Sequence, residues 1–376
     1  MGKTETYRLR RWWLLVPGVV ALGLTWAASA HPDLTETWFS RGIYPWLSSV
    51  WGFLPALAPF SVAQWIVVAF LAFCFGWLAF YLVALARAKG ARRFVLWRAL
   101  ATMLAVLSTG YCIFTLMCGL NYYRHTFAED AGFTLAESST DELAALCTQL
   151  ADEMNDARAA IDGSPDAYAA ARGGFETYAH EAVGAMEALA VTYPALARPL
   201  YSPPKPVLFS ELMSYADIAG MYFPFTVESN INVDGPFFTI PATMGHELAH
   251  QCGFMREDEA NFIGYLACKD AEDSLTRYSG YSLAYDYALS ALIRADRERA
   301  VAVNDGLSEA VRADRRERAA YLKRFEGPVA EASNAANNAY LKANQQTDGT
   351  RSYGRMVDLL LAEARGEGHG TIGKTD

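Results

Sequence analysis

Charge is scarce in this sequence. Of 376 residues only 19 % are Asp, Glu, Lys or Arg, against 52 % apolar and 13 % aromatic. The shortage is local: residues 12–120 are strongly apolar, while 129–376 have the composition of a water-soluble domain. A basic excess is missing as well. The net charge is −9, with most of the acid in the second part, which argues against nucleic acid as a partner. Cysteine is sparse, with six residues and no CxxC pair, so a disulfide scaffold is not expected. A bridge between Cys252 and Cys268 stays open, because spacing alone does not position two thiols. Histidine is rare too, at six residues, and no fixed-period repeat is visible.

What is there first is three long apolar runs, at about 12–30, 61–86 and 94–120. Each holds about the 20 residues that a helix needs to cross a hydrocarbon core. Trp12, Trp13, Trp65 and Trp97 stand near their ends, where an aromatic belt belongs. Lys3, Arg8, Arg10 and Arg11 precede the first run, and Arg87, Lys89, Arg92 and Arg93 separate the second from the third. The only Lys or Arg in 31–60 is Arg41. The positive-inside rule then puts the N-terminus and 87–93 in the cytoplasm and residues 121–376 outside it, in a multi-pass protein of the cell membrane. The first run ends in "AASA", which also suits signal cleavage; three uncleaved spans is the simpler count. The apolar 31–60 segment is expected as a loop in the membrane interface or against the outer domain. Arg98 alone interrupts the runs with charge, near one end, so they offer no ion path and a transporter is disfavoured.

The fold class expected is mainly α: a transmembrane region over 1–120, a mostly helical domain with a small sheet over 121–365, and a disordered tail over 366–376. Residues 121–137 read as a linker. Helices are expected near 138–161, 165–191, 241–252, 256–271, 281–303, 306–325, 327–346 and 351–365. Strands are expected only within 207–240, where "PFTVESNINVD" alternates apolar and polar residues.

The chemistry concentrates in "TMGHELAHQCGFMREDEANF", residues 243–262. His246-Glu247-Leu248-Ala249-His250 is HExxH. Four residues on a helix turn the chain about 400°, so the two imidazoles stack on one face and can share a Zn2+ ion. Glu247 lies about 100° around, within reach of a water that zinc acidifies and the carboxylate deprotonates. A third ligand has to come from the next helix, "REDEANFIGYLAC", and Glu257 is favoured over Glu259. Asn261, one turn beyond Glu257, is placed to support a ligand histidine. For the oxyanion that forms in peptide hydrolysis, Tyr353 and Arg355 lead a group that includes Tyr281 and Tyr340. His125 and His180 read as ordinary solvated or core residues.

These residues resemble the gluzincin clan of zinc metallopeptidases, in which a glutamate on a second helix joins HExxH. Glu257-x-x-Ala260-Asn261 is similar to the ExxAD of the membrane-bound CAAX-type and heat-shock-type metalloproteases, with a neutral Asn for Asp. The spacing departs from the clan in being short, with six residues between His250 and Glu257. The resemblance implies a zincin-like domain, and an edge strand near 225–233 that pairs with the substrate backbone, with Asn230 and Asn232 as substrate contacts. Over nearly its whole length the chain also resembles a bacterial membrane-protein family catalogued as domain of unknown function 3810. "PFTVESNIN", "HELAHQCGFMREDEANF", "RYSGY" and "YLKANQQTDGTRSYGRMVDLLL" carry that likeness.

The function expected is a membrane-anchored zinc metallopeptidase that cleaves peptides or protein segments beside the lipid bilayer, outside the cytoplasm. The alternative is a non-catalytic zinc-binding sensor or assembly protein. Glu247 separates them, because a binding module has no use for that carboxylate. Intramembrane proteolysis is disfavoured, since HExxH lies far beyond the last apolar run.

Overall fold

Three long helices carry the apolar runs in the computed structural model, which describes residues 12–88, 90–161, 174–344 and 354–366. Helix α1 (Val16–Ala30) follows a 3-10 turn at Trp12–Leu15. A short turn (Pro32–Leu34), a wide π-helix (Thr35–Ile43) and α2 (Tyr44–Ala56) come next, then α3 (Val62–Arg87) and α4 (Arg92–Met117). The stretches Trp13–Ala30, Val62–Arg87 and Arg92–Met117 are long and apolar enough to cross a membrane.

The expected loop over 31–60 is helical instead. Pro32 and Pro45 stand in first turns, where a missing N–H costs nothing, while Pro55 is near the end of α2 and Pro59 in the bend beyond it. Nor is 121–137 a linker. Tyr122 and Phe127 are buried, a 3-10 turn spans Gly119–Tyr123, and α5 (Phe127–Ala131) starts at a capping box made by Thr126 and Glu129. Arg124 ties the two regions together: its Nη2 lies 2.8 Å from Glu36 Oε1 and 3.1 Å from Asp130 Oδ2.

The remaining chain is helical around one small sheet. The helices are α6 (Thr140–Ala160), α7 (Phe175–Thr192) and α8 (Ser210–Tyr215) before and within the sheet region. After it come α9 (Ile240–Gln251), α10 (Glu257–Lys269), α11 (Ser274–Ala295), α12 (Arg297–Asp305), α13 (Glu309–Phe325), α14 (Pro328–Ala343) and α15 (Arg355–Ala364). The start of the expected 165–191 helix and the disordered tail at 367–376 lie outside the described residues.

The sheet has three strands, β1 (Lys205–Pro206), β2 (Gly220–Phe223) and β3 (Glu228–Ile231), in the order β1-β3-β2. β1 falls upstream of the expected strand region; it is two residues long and carries no alternation. β3 is central, parallel to β1 and antiparallel to β2. The expected substrate-pairing edge at 225–233 is therefore corrected: β3 is paired on both sides, and β1 and β2 are the edges. The Cys252–Cys268 bridge is corrected too. Both thiols are buried and free, and Cys252 Sγ lies 3.3 Å from Tyr201 Oη.

Glu228 joins the sheet to the second apolar helix. Its carboxylate accepts the first backbone N–H groups of α3, from Val62 at 3.0 Å and Ala63 at 2.8 Å, and pairs with buried Lys205 at 2.6 Å. An anion at a helix N-terminus satisfies otherwise orphaned donors and the helix dipole together. The core lies on the far side of α9, where Ile240, Met244 and Leu248 pack with Phe254, Phe262 and Tyr278.

Candidate metal centre

Two helices meet unusually closely at the motif. A Cβ on Gly264 would stand 2.9 Å from the Ala242 carbonyl and 3.0 Å from the His246 nitrogen. One on Gly245 would stand 3.0 Å from Gly264 Cα. Glycine at both positions lets the backbones of α9 and α10 touch. With so short a connection between the helices, that contact carries the first residue of α10, Glu257, back to the histidines.

The turn itself sets one imidazole. α9 stops at Gly253, whose φ of 89° is left-handed, and the Phe254 nitrogen bonds back to the Ala249 carbonyl. This turns the Phe254 carbonyl inward, where His250 Nδ1 donates to it at 2.7 Å. His246 Nδ1 donates to Asn261 Oδ1 at 2.9 Å, and Asn261 Nδ2 donates to Tyr287 Oη at 3.0 Å, which orients the amide. Both rings thus spend Nδ1 as a donor and present Nε2 to one point.

At that point the two Nε2 atoms are 3.1 Å apart. Glu257 supplies Oε2 at 3.4 Å from His246 Nε2 and Oε1 at 3.9 Å from His250 Nε2. Ligand atoms of a tetrahedral ion with bonds of about 2.0–2.1 Å stand about 3.3 Å apart. The His246–His250–Glu257 group therefore has the donor set and spread to hold a metal ion. Glu259 does not join it. Its carboxylate points elsewhere, accepting from the Phe127 nitrogen at 3.0 Å and from Arg256 at 3.1 Å.

Two nitrogen lone pairs so close repel unless a cation or proton separates them, and the metal-free titration reflects this. Burial opposes charge on His246, but its contact with Glu257 and the fields of Glu247 and Glu257 outweigh it and push the ring up to about 9. Burial and the charge of His246 hold His250 down at about 4. Burial likewise raises the Glu247 carboxyl to about 8. Glu257 is held below its usual value, burial being outweighed by the two imidazoles.

Glu247 is gripped by the sheet. The Tyr222 N–H faces its carboxylate and favours the charged form, and a Cβ on Gly220 would meet its Oε1 at 2.5 Å. The Glu247 Oε2 atom is buried and has no hydrogen-bond partner among the described residues. In the β2–β3 ladder the Ala219 carbonyl accepts from the Asn232 nitrogen, so alternation turns the peptide groups of Gly220 and Tyr222 outward. Among the described residues no strand covers that edge.

The group opens into a cleft of about 1290 Å³. β2, α9, α11, α13 and α14 line it, together with Phe114 and Cys118 at the end of α4. Tyr340 is in the lining, its Oη receiving a hydrogen bond from Tyr122 Oη at 3.0 Å. Tyr281 is not in the lining, and Tyr353 lies outside the described residues. Arg355 is exposed at the start of α15, where its charge acts on Asp258 and Asp358 and not on the cleft. Asn230 and Asn232, expected as substrate contacts, are committed to structure. Asn230 bonds the Met221 carbonyl at 3.2 Å and accepts from Ser61 Oγ at 2.6 Å. Asn232 holds the Ile218 carbonyl at 2.9 Å and Ser214 Oγ at 3.0 Å, although it borders the cleft. His125 pairs with Asp33 at 2.8 Å, and His180 is exposed.

Sequence reasoning passed over Tyr122, Tyr287, the Phe254 carbonyl and the Gly220–Tyr222 edge. A lone tyrosine among twenty carries no positional signal, and backbone groups carry none at all. Gly220 was the one visible trace, a glycine beside an alternating strand.

Comparison with known proteins gives one match. Nothing among the curated proteins and nothing among the solved structures matches the chain. A family model described as "Protein of unknown function (DUF3810)" matches residues 39–361, from the π-helix through the His246–His250–Glu257 group to α15. The chain belongs to that family.

Proposed function

We propose that this protein is a membrane-anchored zinc-dependent metallopeptidase with a zincin-like domain outside the cytoplasm. The observation that carries the reading is the convergence of His246, His250 and Glu257 beside the buried carboxylate of Glu247 at the wall of an open cleft. Two imidazoles and a carboxylate suit zinc among the common divalent ions. Zinc bound there would supply the Lewis acidity that makes a water nucleophilic at neutral pH.

The protein's own residues account for the rest. Asn261 and the Phe254 carbonyl hold the imidazoles in the tautomer that leaves Nε2 free. Glu247 is the proton acceptor: burial raises its carboxyl in the metal-free protein, and the charge of a bound cation would favour its carboxylate form. An extended substrate can pair with the outward Gly220 peptide group and the Tyr222 carbonyl, a β-augmentation on β2. Tyr340 is the described side chain best placed to donate to a developing oxyanion, standing in the lining while Tyr122 donates to its oxygen. Phe114 and Cys118 in the wall set the cleft at the end of α4, a helix long and apolar enough to cross a membrane, which supports a peptide or protein segment beside the bilayer as the substrate. Orientation follows the Lys and Arg distribution, with the N-terminus cytoplasmic.

The test uses the full chain purified in nanodiscs, with zinc measured by mass spectrometry and hydrolysis followed on a quenched-fluorescence peptide library. We expect about one zinc per chain by the ligand count, lost in His246→Ala and Glu257→Ala and retained in Glu247→Gln. We expect Glu247→Gln to abolish cleavage. No zinc in the wild type after zinc addition overturns the reading. Zinc without cleavage, unaffected by Glu247→Gln, converts it to the non-catalytic sensor or assembly protein.

A further inference from the structure

Helix α2 is amphipathic in the inverse sense. At about 100° per residue, Ile43, Trp46, Val50, Phe53, Leu54 and Leu57 fall within one stripe roughly 100° wide. All six are exposed, by 52–75 %. The face turned to the protein holds Tyr44, Ser48, Ser49 and Gly52, all buried. That inner face is made for close contact: a Cβ on Gly52 would stand 3.0 Å from Val227 Cβ. Trp51 at its margin donates Nε1–H to the Phe225 carbonyl at 2.9 Å. A helix on a water-exposed surface has the opposite arrangement.

A second exposed apolar group lies at the same level. Leu208 and Leu212, at and just before α8, are 70 % and 67 % exposed. The Leu208 nitrogen donates to Gln64 Oε1 at 2.9 Å, and the Phe209 ring lies 6.2 Å from that of Trp65. Gln64 and Trp65 are in the first turn of α3. The α2 stripe reaches that same end of α3, since Leu57 is five residues from Val62, a distance of at most about 18 Å.

We propose that the outer stripe of α2, with Leu208 and Leu212, is a membrane seat that lies in the headgroup–acyl boundary of the lipid bilayer. The occupant is lipid because the patch runs continuously into the exposed apolar surface of α3, where Trp65, Ile66 and Val67 are 41–48 % exposed. Tryptophan in the stripe suits an interface that is wet on one side and apolar on the other. The seat fixes the outer domain against the bilayer with its cleft at constant height. This inference rests on reading α1, α3 and α4 as spans.

The experiment is site-directed spin labelling of the full chain in nanodiscs. Cys74→Ala and Cys112→Ala form the background, since the other four thiols are buried. Labels at Val50→Cys, Leu54→Cys and Leu212→Cys are compared with Phe75→Cys within α3 and with Val191→Cys, an isolated exposed residue at the far end of α7. Collision rates with oxygen and with a polar nickel chelate are measured. The seat requires a several-fold higher oxygen-to-nickel ratio at the three α2 and α8 positions than at Val191→Cys. Nickel access equal to that at Val191→Cys means water and overturns the proposal. Low access to both reagents means a protein partner or a second copy and also overturns it. A water-like ratio at Phe75→Cys sinks the span reading itself, which separates the two failures.

Discussion

For the proposed zinc site, His246 is the residue on which metal affinity turns. In the metal-free protein its ring is protonated up to about pH 9, held so by Glu257 and Glu247 against burial. Zinc binding has to displace that proton. Because the proton is lost only as pH rises through the raised value, affinity climbs by about tenfold per pH unit from neutrality to about pH 9 and then levels. Calorimetry in buffers of different ionisation enthalpy at pH 7 is expected to show at least one proton released per zinc. Flat affinity between pH 7 and 9 contradicts the pairing. Gly220 is the second such residue. Gly220→Ala puts a methyl group against Glu247 Oε1, so peptide cleavage is expected to fall by about 10²-fold or more while zinc content stays the same. At this scale the juxtaposition was legible where side chains repeat a known spacing: the structure brings His246, His250 and Glu257 together, with Glu247 and Asn261 beside them. Asn230 and Asn232 misled, because an alternating pattern marks a strand without saying what its polar side chains bind.

Among the elements, the pair α9 and α10 decides whether the centre exists. Their backbones touch through Gly245 and Gly264, so Gly264→Ala forces them apart at the His246 nitrogen itself. The expected cost is about 1–3 kcal/mol of stability, seen as a lower Tm in nanodiscs, together with weaker zinc binding. Gly264→Ala with unchanged Tm and zinc affinity would show that the contact is slack. Long helices after residue 137 were read in outline, since their apolar period persists over several turns, but the helices within 31–60 and 121–137 were missed and the expected 281–303 helix runs across the break between α11 and α12. The sheet was read poorly. β1 is two residues long, and nothing in "PFTVESNINVD" reveals that β3 is flanked on both sides. Order within a sheet is set by distant partners, here Lys205–Pro206 and Gly220–Phe223, which local pattern does not encode.

For the whole molecule, the division at residue 120 that composition suggests is not where the structure divides. Arg124 is buried against Glu36, Glu228 caps α3, and the Tyr44 hydroxyl donates to the Gln251 carbonyl at 3.2 Å. A fragment of 121–376 loses all three partners and leaves Glu228 and Lys205 to share a newly exposed pocket. It is expected to be insoluble or to unfold without a cooperative transition, whereas the full chain in nanodiscs unfolds cooperatively by circular dichroism. A well-folded fragment with full zinc content would overturn this. Hydropathy could not foresee the link, since Tyr44, Ser48 and Gly52 make their contacts from within a segment of mostly apolar composition.

The bond between Glu228 and the first turn of α3 has a mechanical meaning. β3 is fastened to the first turn of α3, the water-side end of a span on the proposed reading, and its neighbour β2 sets the Tyr222 N–H beside Glu247. A change in the tilt of α3 therefore reaches the proton acceptor through two adjacent strands. Spans tilt to match the thickness of the lipid around them. If the proposed spans and peptidase activity hold, bilayer thickness becomes an input to the site: turnover in nanodiscs of graded acyl-chain length is expected to pass through a maximum, which Glu228→Gln flattens.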